Sequence, residues 1–120
     1  MREHRVIIAG SRDFSNYSLL ACKMDLFTVG WDKETIKVVS GAARGADTLG
    51  ERWAEEHDIP IKRFRAKWDE YGRSAGYRRN DQMANYTTHL VAFHVDESRG
   101  TAHMIESARK AGLEVVVVEC

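Results

Sequence analysis

The chain has 120 residues, of which 43% are hydrophobic, and its 18 basic and 18 acidic side chains cancel to a formal net charge of zero. This length predicts one domain over residues 1–120. The balanced charge argues against nucleic acid or an acidic membrane as a partner. No apolar run is long enough to span a bilayer, and two cysteines are too few for a disulfide framework or a zinc site. We therefore expect a cytoplasmic protein with no metal and no cofactor.

Strand-like and helix-like segments alternate along the chain. The predicted strands cover residues 4–10, 36–40, 61–64, 90–94 and 115–118. The predicted helices, in which apolar side chains recur at helical spacing, cover residues 16–28, 45–57, 75–86 and 101–111. Residues 66–77 have no regular pattern and carry Trp68, Tyr71 and Tyr77.

This alternation with short connections predicts an α/β fold. The expected architecture is a Rossmann-like three-layer sandwich, with a parallel five-stranded sheet and helices on both faces. In such sheets, ligands bind beyond the carboxyl ends of the strands. The turns after the first, second and fourth strands each contain a glycine and precede a helix, so we expect the ligand site at this edge.

The turn after the second strand is the central motif. It comprises Ser40, Gly41 and Ala42, followed by Gly45, Ala46 and Asp47 at the predicted start of a helix. Glycines let a phosphate approach the backbone, and a helix N-terminus offers unpaired N–H groups. The motif matches neither the dinucleotide-binding fingerprint nor a Walker P-loop. Asp47 either accepts hydrogen bonds from a ribose or caps its own helix.

The turn after the first strand carries a second set of candidates. Gly10, Ser11, Arg12 and Asp13 supply backbone donors, a hydroxyl, a guanidinium and a carboxylate. The planar guanidinium of arginine can bind two phosphate oxygens at once. The alternative is a solvated turn in which Asp13 caps the helix that follows.

Further candidates lie in the second half of the chain. Gly100 and Thr101 are expected to open the last helix, with Thr101 as the N-cap residue and a phosphate at the same end. Arg79 and Asn80 lie near the start of the third helix. Trp68 either stacks on a base or packs in the core or an interface.

Four motifs together resemble the SLOG superfamily, and within it the YspA-type, YpsA-related branch: VIIAGSRDF, VVSGAARGAD, AGYRRNDQMA and GTAHMIESARKAG. The superfamily includes the LOG phosphoribohydrolases and DNA-processing protein A. The resemblance implies a Rossmann-like fold and a nucleotide or nucleotide-derived ligand. By the same resemblance, the ligand-binding positions are Gly10, Ser11, Gly41, Gly45, Arg79, Gly100 and Thr101.

The chain departs from the LOG enzymes at the positions that carry their chemistry. Arg79 matches their arginine, but Asn80 stands where they have lysine, and Met104 stands where they have the catalytic glutamate. Loss of that carboxylate removes a stabiliser of an oxocarbenium-like transition state. The resemblance thus implies nucleotide binding more strongly than LOG-type hydrolysis.

Three functions are open from the sequence. The first is a sensor or sequestering protein for a nucleotide-derived signal, with phosphates at the N-termini of the second and fourth helices. The second is a nucleotide hydrolase that cleaves a glycosidic or phosphate bond, with its acid or base among Asp13, Asp47, Asp96, Glu97 and His103. The third is single-stranded nucleic-acid binding, which the zero net charge disfavours. A homodimer or larger oligomer formed through residues 66–77 is also expected.

Overall fold

The computed structural model describes residues 3–94 and 98–119. The strands are His4–Gly10 (β1), Ile36–Ser40 (β2), Ile61–Arg63 (β3), His89–His94 (β4) and Glu114–Glu119 (β5). The helices are Tyr17–Phe27 (α1), Ala46–Glu56 (α2), Trp68–Tyr71 (α3), Ala75–Tyr86 (α4) and Arg99–Lys110 (α5). None of the helices in these ranges has the length and apolarity needed to cross a membrane.

The five strands form one sheet in the order β3-β2-β1-β4-β5. All four pairings between neighbouring strands are parallel. The order reverses between β1 and β4, because the chain first builds outward from β1 through β2 and β3 and then returns to the other side of β1. The predicted Rossmann-like α/β fold is confirmed.

The core lies on both faces of the sheet. On one face, Ile8 belongs to an apolar cluster with residues of α1 and α2, including Met24 and Trp53. On the other face, Ile7 belongs to a cluster with residues of α4 and α5, including Met83. Successive residues of a strand point to opposite faces, so β1 needs a continuous apolar run to fill both clusters.

Strand β5 shows that the same pattern also occurs at a sheet edge. Its four valines, Val115 to Val118, form an apolar run like that of β1 but are only partly buried. The strand pairs with β4 alone, so an apolar run by itself does not distinguish an edge strand from a central one.

The cap expected at Thr101 is wrong, and Asp13, the alternative cap considered for the first helix, does not cap it either. Asn16 is the N-cap of α1, where its Oδ1 accepts a hydrogen bond from the backbone N–H of Leu19 at 3.1 Å, and Asp13 is exposed. Helix α5 begins two residues before its predicted start. Its N-cap is Ser98, whose Oγ accepts from the backbone N–H of Thr101 at 3.4 Å. Thr101 is therefore inside the first turn of α5.

The segment predicted to be irregular contains helical structure. Trp68–Tyr71 forms α3, and Gly72–Ser74 forms a single 3-10 turn that leads into α4. Such short helices lack the repeated apolar spacing by which longer ones are recognised. Trp68 is 50% exposed, which excludes the core and leaves an interface or base stacking as the alternatives for this side chain. Asp96, Glu97 and Cys120 lie outside the described residues.

Candidate functional site

A cavity of about 530 Å³ lies at the carboxyl ends of β1 and β4, where the strand order reverses. This volume is within the range of roughly 300–1,000 Å³ typical of small-molecule sites. We call it the switch-point cavity. The predicted site residues that line it are Gly10, Ser11, Arg12, Asp13, Asp47, Arg79, Asn80, Gly100 and Thr101.

Sequence reasoning did not assign five further lining residues to the site, namely Ala9, Ala43, Met83, Ser98 and Met104. For two of them, the helical spacing of the sequence could have indicated a place in the site. Met83 lies one turn after Arg79 on α4, and Met104 lies one turn after Thr101 on α5, so each shares a helix face with a predicted residue. Ala9, Ala43 and Ser98 carry no such signal.

The turn after β1 is held against the start of α2. Gly45 has φ of +79°, and a Cβ placed on it would lie 2.1 Å from the carbonyl oxygen of Ser11. That same oxygen accepts a hydrogen bond from the backbone N–H of Ala46 at 3.4 Å. A Cβ on Gly10 would lie 2.4 Å from the carbonyl oxygen of Phe93. Contacts within the protein therefore require glycine at both positions, and of the two only Gly10 lines the cavity.

Three predicted site residues line neither this cavity nor the second one described below, and these are Ser40, Gly45 and Ala46. Ser40 is buried, and its hydroxyl donates to Glu51 Oε2 at 2.6 Å and accepts from the backbone N–H of Ala42 at 3.0 Å. Ala46 is fully buried. Their role is to hold the turn after β2 in place.

Asp47 is a buried carboxyl at the wall of the switch-point cavity. Gly45 is the N-cap of α2, so Asp47 does not cap its helix as the alternative prediction held; its Oδ2 accepts from the backbone N–H of Ala43 at 3.2 Å. Burial raises the pKa of Asp47 to about 6, although the Ala43 N–H and the charge of Arg79 act in the opposite direction. The carboxyl is thus close to its titration point near neutral pH.

Arg79 lies between the turn after β2 and the cavity. Its Nη1 donates to the carbonyl oxygen of Gly41 at 2.9 Å, and its buried Nε has no hydrogen-bond partner within the described part of the chain. Burial lowers the pKa of Arg79, Asp47 raises it, and the nearby charge of Arg12 lowers it further. Two guanidinium groups that repel each other beside one cavity favour an anion between them.

The N-terminus of α5 is open toward the cavity. Its first turn has no acidic residue, and a Cβ on Gly100 would have no atom within 4 Å. Asn80 is buried on α4, and its Nδ2 lies 3.4 Å from the carbonyl oxygen of Gly100 and 3.2 Å from His103 Nδ1. His103 also stacks on Tyr77 and does not line the cavity. Gly100 is therefore a glycine with space for a ligand.

A second cavity, of about 380 Å³, adjoins the first. It shares Arg12, Ala43 and Arg79 with the switch-point cavity. The remaining predicted site residues that line it are Gly41, Ala42 and Trp68, and those that sequence reasoning missed are Arg44, Arg65 and Ala66. We call it the arginine cavity. No motif connects these residues, because they come from four separate segments of the chain.

The described residues contain no group of three or more His, Cys, Asp or Glu side chains placed to hold a metal ion. His89 is buried, and its Nε2 lies 3.2 Å from Glu114 Oε2. It also lies within a ring cluster with His4 and Trp31. His89 begins β4, so this cluster lies at the opposite edge of the sheet from the two cavities.

Comparisons with known proteins agree with this geometry. Residues 4–71, more than half of the chain, match the model of the YspA, cpYpsA-related SLOG family. The "Gene 61 protein" of Mycobacterium phage D29 is 34% identical over 122 residues, which cover 93% of this chain and 94% of the phage protein. The X-ray structure of DNA processing protein A (DprA) from Streptococcus pneumoniae has the same fold, with a TM-score of 0.74 at 17% identity. The match covers 97% of this chain and 50% of the DprA chain, so this chain spans about half the length of DprA. On these grounds, the chain belongs to the YspA, cpYpsA-related SLOG family.

Proposed function

We propose that the protein binds a nucleotide or nucleotide-derived small molecule in the switch-point cavity, as a sensor or a sequestering protein. The observation that carries the proposal is the convergence of Arg12, Arg79 and the open N-terminus of α5 on one cavity at the topological switch point. This is the usual position of nucleotide sites in open α/β sheets. Membership of a SLOG family supports a nucleotide-related role.

The phosphate binds at the start of α5 in this proposal. There Ser98, Gly100 and Thr101 line the cavity; Ser98 Oγ accepts from the Thr101 N–H, which leaves the N–H groups of Arg99 and Gly100 in the first turn for the phosphate. The start of α2 is less suitable, because the N–H of Ala46 is bonded to Ser11 and Asp47 places a carboxyl in the first turn. The sequence-based hypothesis placed a phosphate at the start of both α2 and α5. We retain only the position at α5.

The other cavity residues suit the rest of a nucleotide. Arg12, in the turn after β1, and Arg79, which is bonded to the turn after β2, neutralise the charge of the phosphate. Asp47 uses one oxygen for the Ala43 N–H, and a carboxylate has capacity for further hydrogen bonds from ribose hydroxyls. Met83 and Met104 supply an apolar, adaptable wall for a base or sugar.

Thermal shift with recovery of the ligand tests this proposal. The wild type is screened against nucleoside mono-, di- and triphosphates and ADP-ribose, and each incubated ligand is then analysed by HPLC. A ligand at about a hundred times its Kd stabilises the protein by roughly 2.7 kcal/mol. We expect a shift with at least one nucleotide, recovered intact.

Two variants make the screen specific to the site. Arg79→Gln removes a cavity guanidinium, whereas Arg109→Gln makes the same change at an exposed position in the last turn of α5. The shift should disappear in the first variant and remain in the second. If no nucleotide shifts the wild type, or if both variants respond alike, the proposal is wrong.

One observation favours nucleotide hydrolysis as a second candidate function. Asp47 lines the cavity with a pKa of about 6, which suits a general acid or base near neutral pH. Against it, the position that carries glutamate in the LOG enzymes is the buried apolar Met104. Recovery of a converted nucleotide, with conversion abolished by Asp47→Asn, would favour the hydrolase.

A further inference from the structure

The arginine cavity concentrates positively charged residues in a lining that has no carboxylate. Four arginines line it, namely Arg12, Arg44, Arg65 and Arg79, and the lining contains no Asp or Glu. Within residues 3–94 and 98–119, none of the four forms an ion pair. Arg63 on β3, by contrast, is paired with Glu51 at 2.7 Å. Asp47, in the wall of the neighbouring cavity, partly offsets the charge of Arg79 alone. The remaining positive charge around a concave surface favours a bound anion.

The same cavity contains an exposed aromatic ring. Trp68 is 50% exposed, and the tip of its indole lies against α4, 3.4 Å from the position of a Cβ on Gly76. The terminal Nη2 of Arg79 lies 3.9 Å from that same position. The ring is thus supported on one side by a glycine and remains half open to solvent beside the arginines. A supported, accessible indole is a suitable surface on which a base can stack.

The wall between the two cavities is fixed by side chains of α2. Ala43 lines both cavities, and its N–H donates to Asp47 at 3.2 Å while its carbonyl oxygen accepts from Thr48 Oγ1 at 2.9 Å. The preceding residue, Ala42, has φ of +59°, in the left-handed region. Since both backbone groups of Ala43 are held, the two cavities keep their relative position, and Arg12 and Arg79 face both.

We propose that the arginine cavity is a second subsite for the same ligand, and that the ligand class is a dinucleotide. The first nucleotide occupies the switch-point cavity with its terminal phosphate at the start of α5, and the linking phosphate lies between Arg12 and Arg79. The second base stacks on Trp68, while Arg44 and Arg65 add positive charge around the linking phosphate. The inference rests on the proposed function. A space of about 380 Å³ with an aromatic surface accommodates more than a single phosphate group.

Isothermal titration calorimetry separates the two subsites. The probes are the four nucleoside monophosphates, the matching 5′-phosphorylated dinucleotides, and pyrophosphate-linked diadenosine. At least one dinucleotide should bind the wild type about tenfold or more tightly than its mononucleotide, since each charge-assisted hydrogen bond contributes about this factor. The double variant Arg44→Gln, Arg65→Gln should remove that advantage and leave mononucleotide affinity unchanged.

Further variants test whether the loss of dinucleotide binding in the double variant comes from the subsite itself and not from a change in the fold. Trp68→Ala should also weaken dinucleotide binding selectively, and Trp68→Phe should restore much of it because a ring is again available for stacking. Arg109→Gln is the charge-matched control and should bind both classes as the wild type does.

The outcomes distinguish this inference from the proposed function. Tight mononucleotide binding with no gain for any dinucleotide, and no effect of the double variant, would overturn the second subsite and leave the proposed function standing. Failure of every probe to bind the wild type would reject both. Tighter, steeply salt-dependent binding of longer single-stranded oligonucleotides would replace the dinucleotide by nucleic acid.

Discussion

Arg79 Nη1 donates a hydrogen bond of 2.9 Å to the carbonyl oxygen of Gly41, a residue 38 positions earlier in the chain. This bond joins α4 to the turn after β2 and holds the guanidinium between the two cavities. A side chain fixed before the ligand arrives loses less conformational entropy on binding. Arg79 therefore connects the fold to the proposed ligand site.

Arg79→Lys tests whether the shape of the guanidinium matters beyond its charge. Lysine retains a positive charge but lacks the planar fork, so it cannot offer a phosphate two parallel donors while it bonds to Gly41. We expect nucleotide affinity between those of the wild type and Arg79→Gln, measured by calorimetry. Wild-type affinity in the lysine variant would show that only the charge contributes.

Two glycines of the site should respond in opposite ways to a methyl group. A Cβ on Gly41 would lie 2.8 Å from Asp47 Oδ2 and 3.2 Å from Arg79 Cζ, so Gly41→Ala should lower the free energy of unfolding by about 1–3 kcal/mol. Gly100 has open space and a helical conformation, so Gly100→Ala should raise it by about 0.4–1 kcal/mol. Urea denaturation measures both.

The same pair also tests the phosphate position. In Gly100→Ala the added methyl group lies at the open start of α5, so nucleotide binding should weaken although the protein is more stable. A variant that is stabilised and binds normally would place the phosphate elsewhere in the cavity.

Asp47 predicts a pH dependence of stability. Burial raises its pKa from 3.8 to about 6, so the folded protein holds this proton more tightly than the unfolded chain. The resulting stability is fully present below the unfolded pKa and is lost as the pH rises from 3.8 through about 6. The ionised carboxyl then costs about 3 kcal/mol, at about 1.4 kcal/mol per pKa unit.

Asp47→Asn isolates this effect from other titrating groups. Asparagine keeps an oxygen that can accept from the Ala43 N–H but cannot ionise. The free energy of unfolding of the variant, minus that of the wild type, should increase by up to about 3 kcal/mol between roughly pH 4 and pH 7. A difference that stays constant over this interval in urea titrations would contradict the raised pKa.

Asn80→Asp should disrupt the start of α5. The amide Nδ2 of Asn80 is the donor to Gly100 and His103, and aspartate removes that donor and adds a buried negative charge. We expect a loss of about 1–3 kcal/mol of stability and a marked loss of nucleotide affinity at neutral pH. Asn85→Asp, at an exposed position on the same helix, is the matched control and should have little effect in either assay.

The local pattern of the sequence was sufficient to predict the fold. The predicted third helix, residues 75–86, has the observed bounds, and the predicted strands agree with the observed ones to within one residue at each end. The spacing of apolar residues is a local property of the sequence, so it predicts an element without knowledge of what that element packs against. The two cavities lie at the edge where the sequence predicts the ligand site, because the carboxyl ends of parallel strands share one edge of the sheet.

The role of each residue within the site depended on contacts that sequence spacing does not record. Gly45 lies against Ser11, and Asp47 holds Ala43 rather than capping its own helix. Sequence shows that a glycine or a carboxylate is present in a turn, but not which backbone or side chain it meets. These assignments required the packing of the turn after β1 on α2.

The sequence by itself determined the α/β alternation, the parallel sheet and the edge at which the cavities lie, because all three follow from local periodicity and chain direction. Only the tertiary structure showed the arginine cavity. Its four guanidinium groups, on Arg12, Arg44, Arg65 and Arg79, come from turns and a helix that are distant in sequence. Charge carried by separate segments becomes a site only when the sheet brings those segments to one edge.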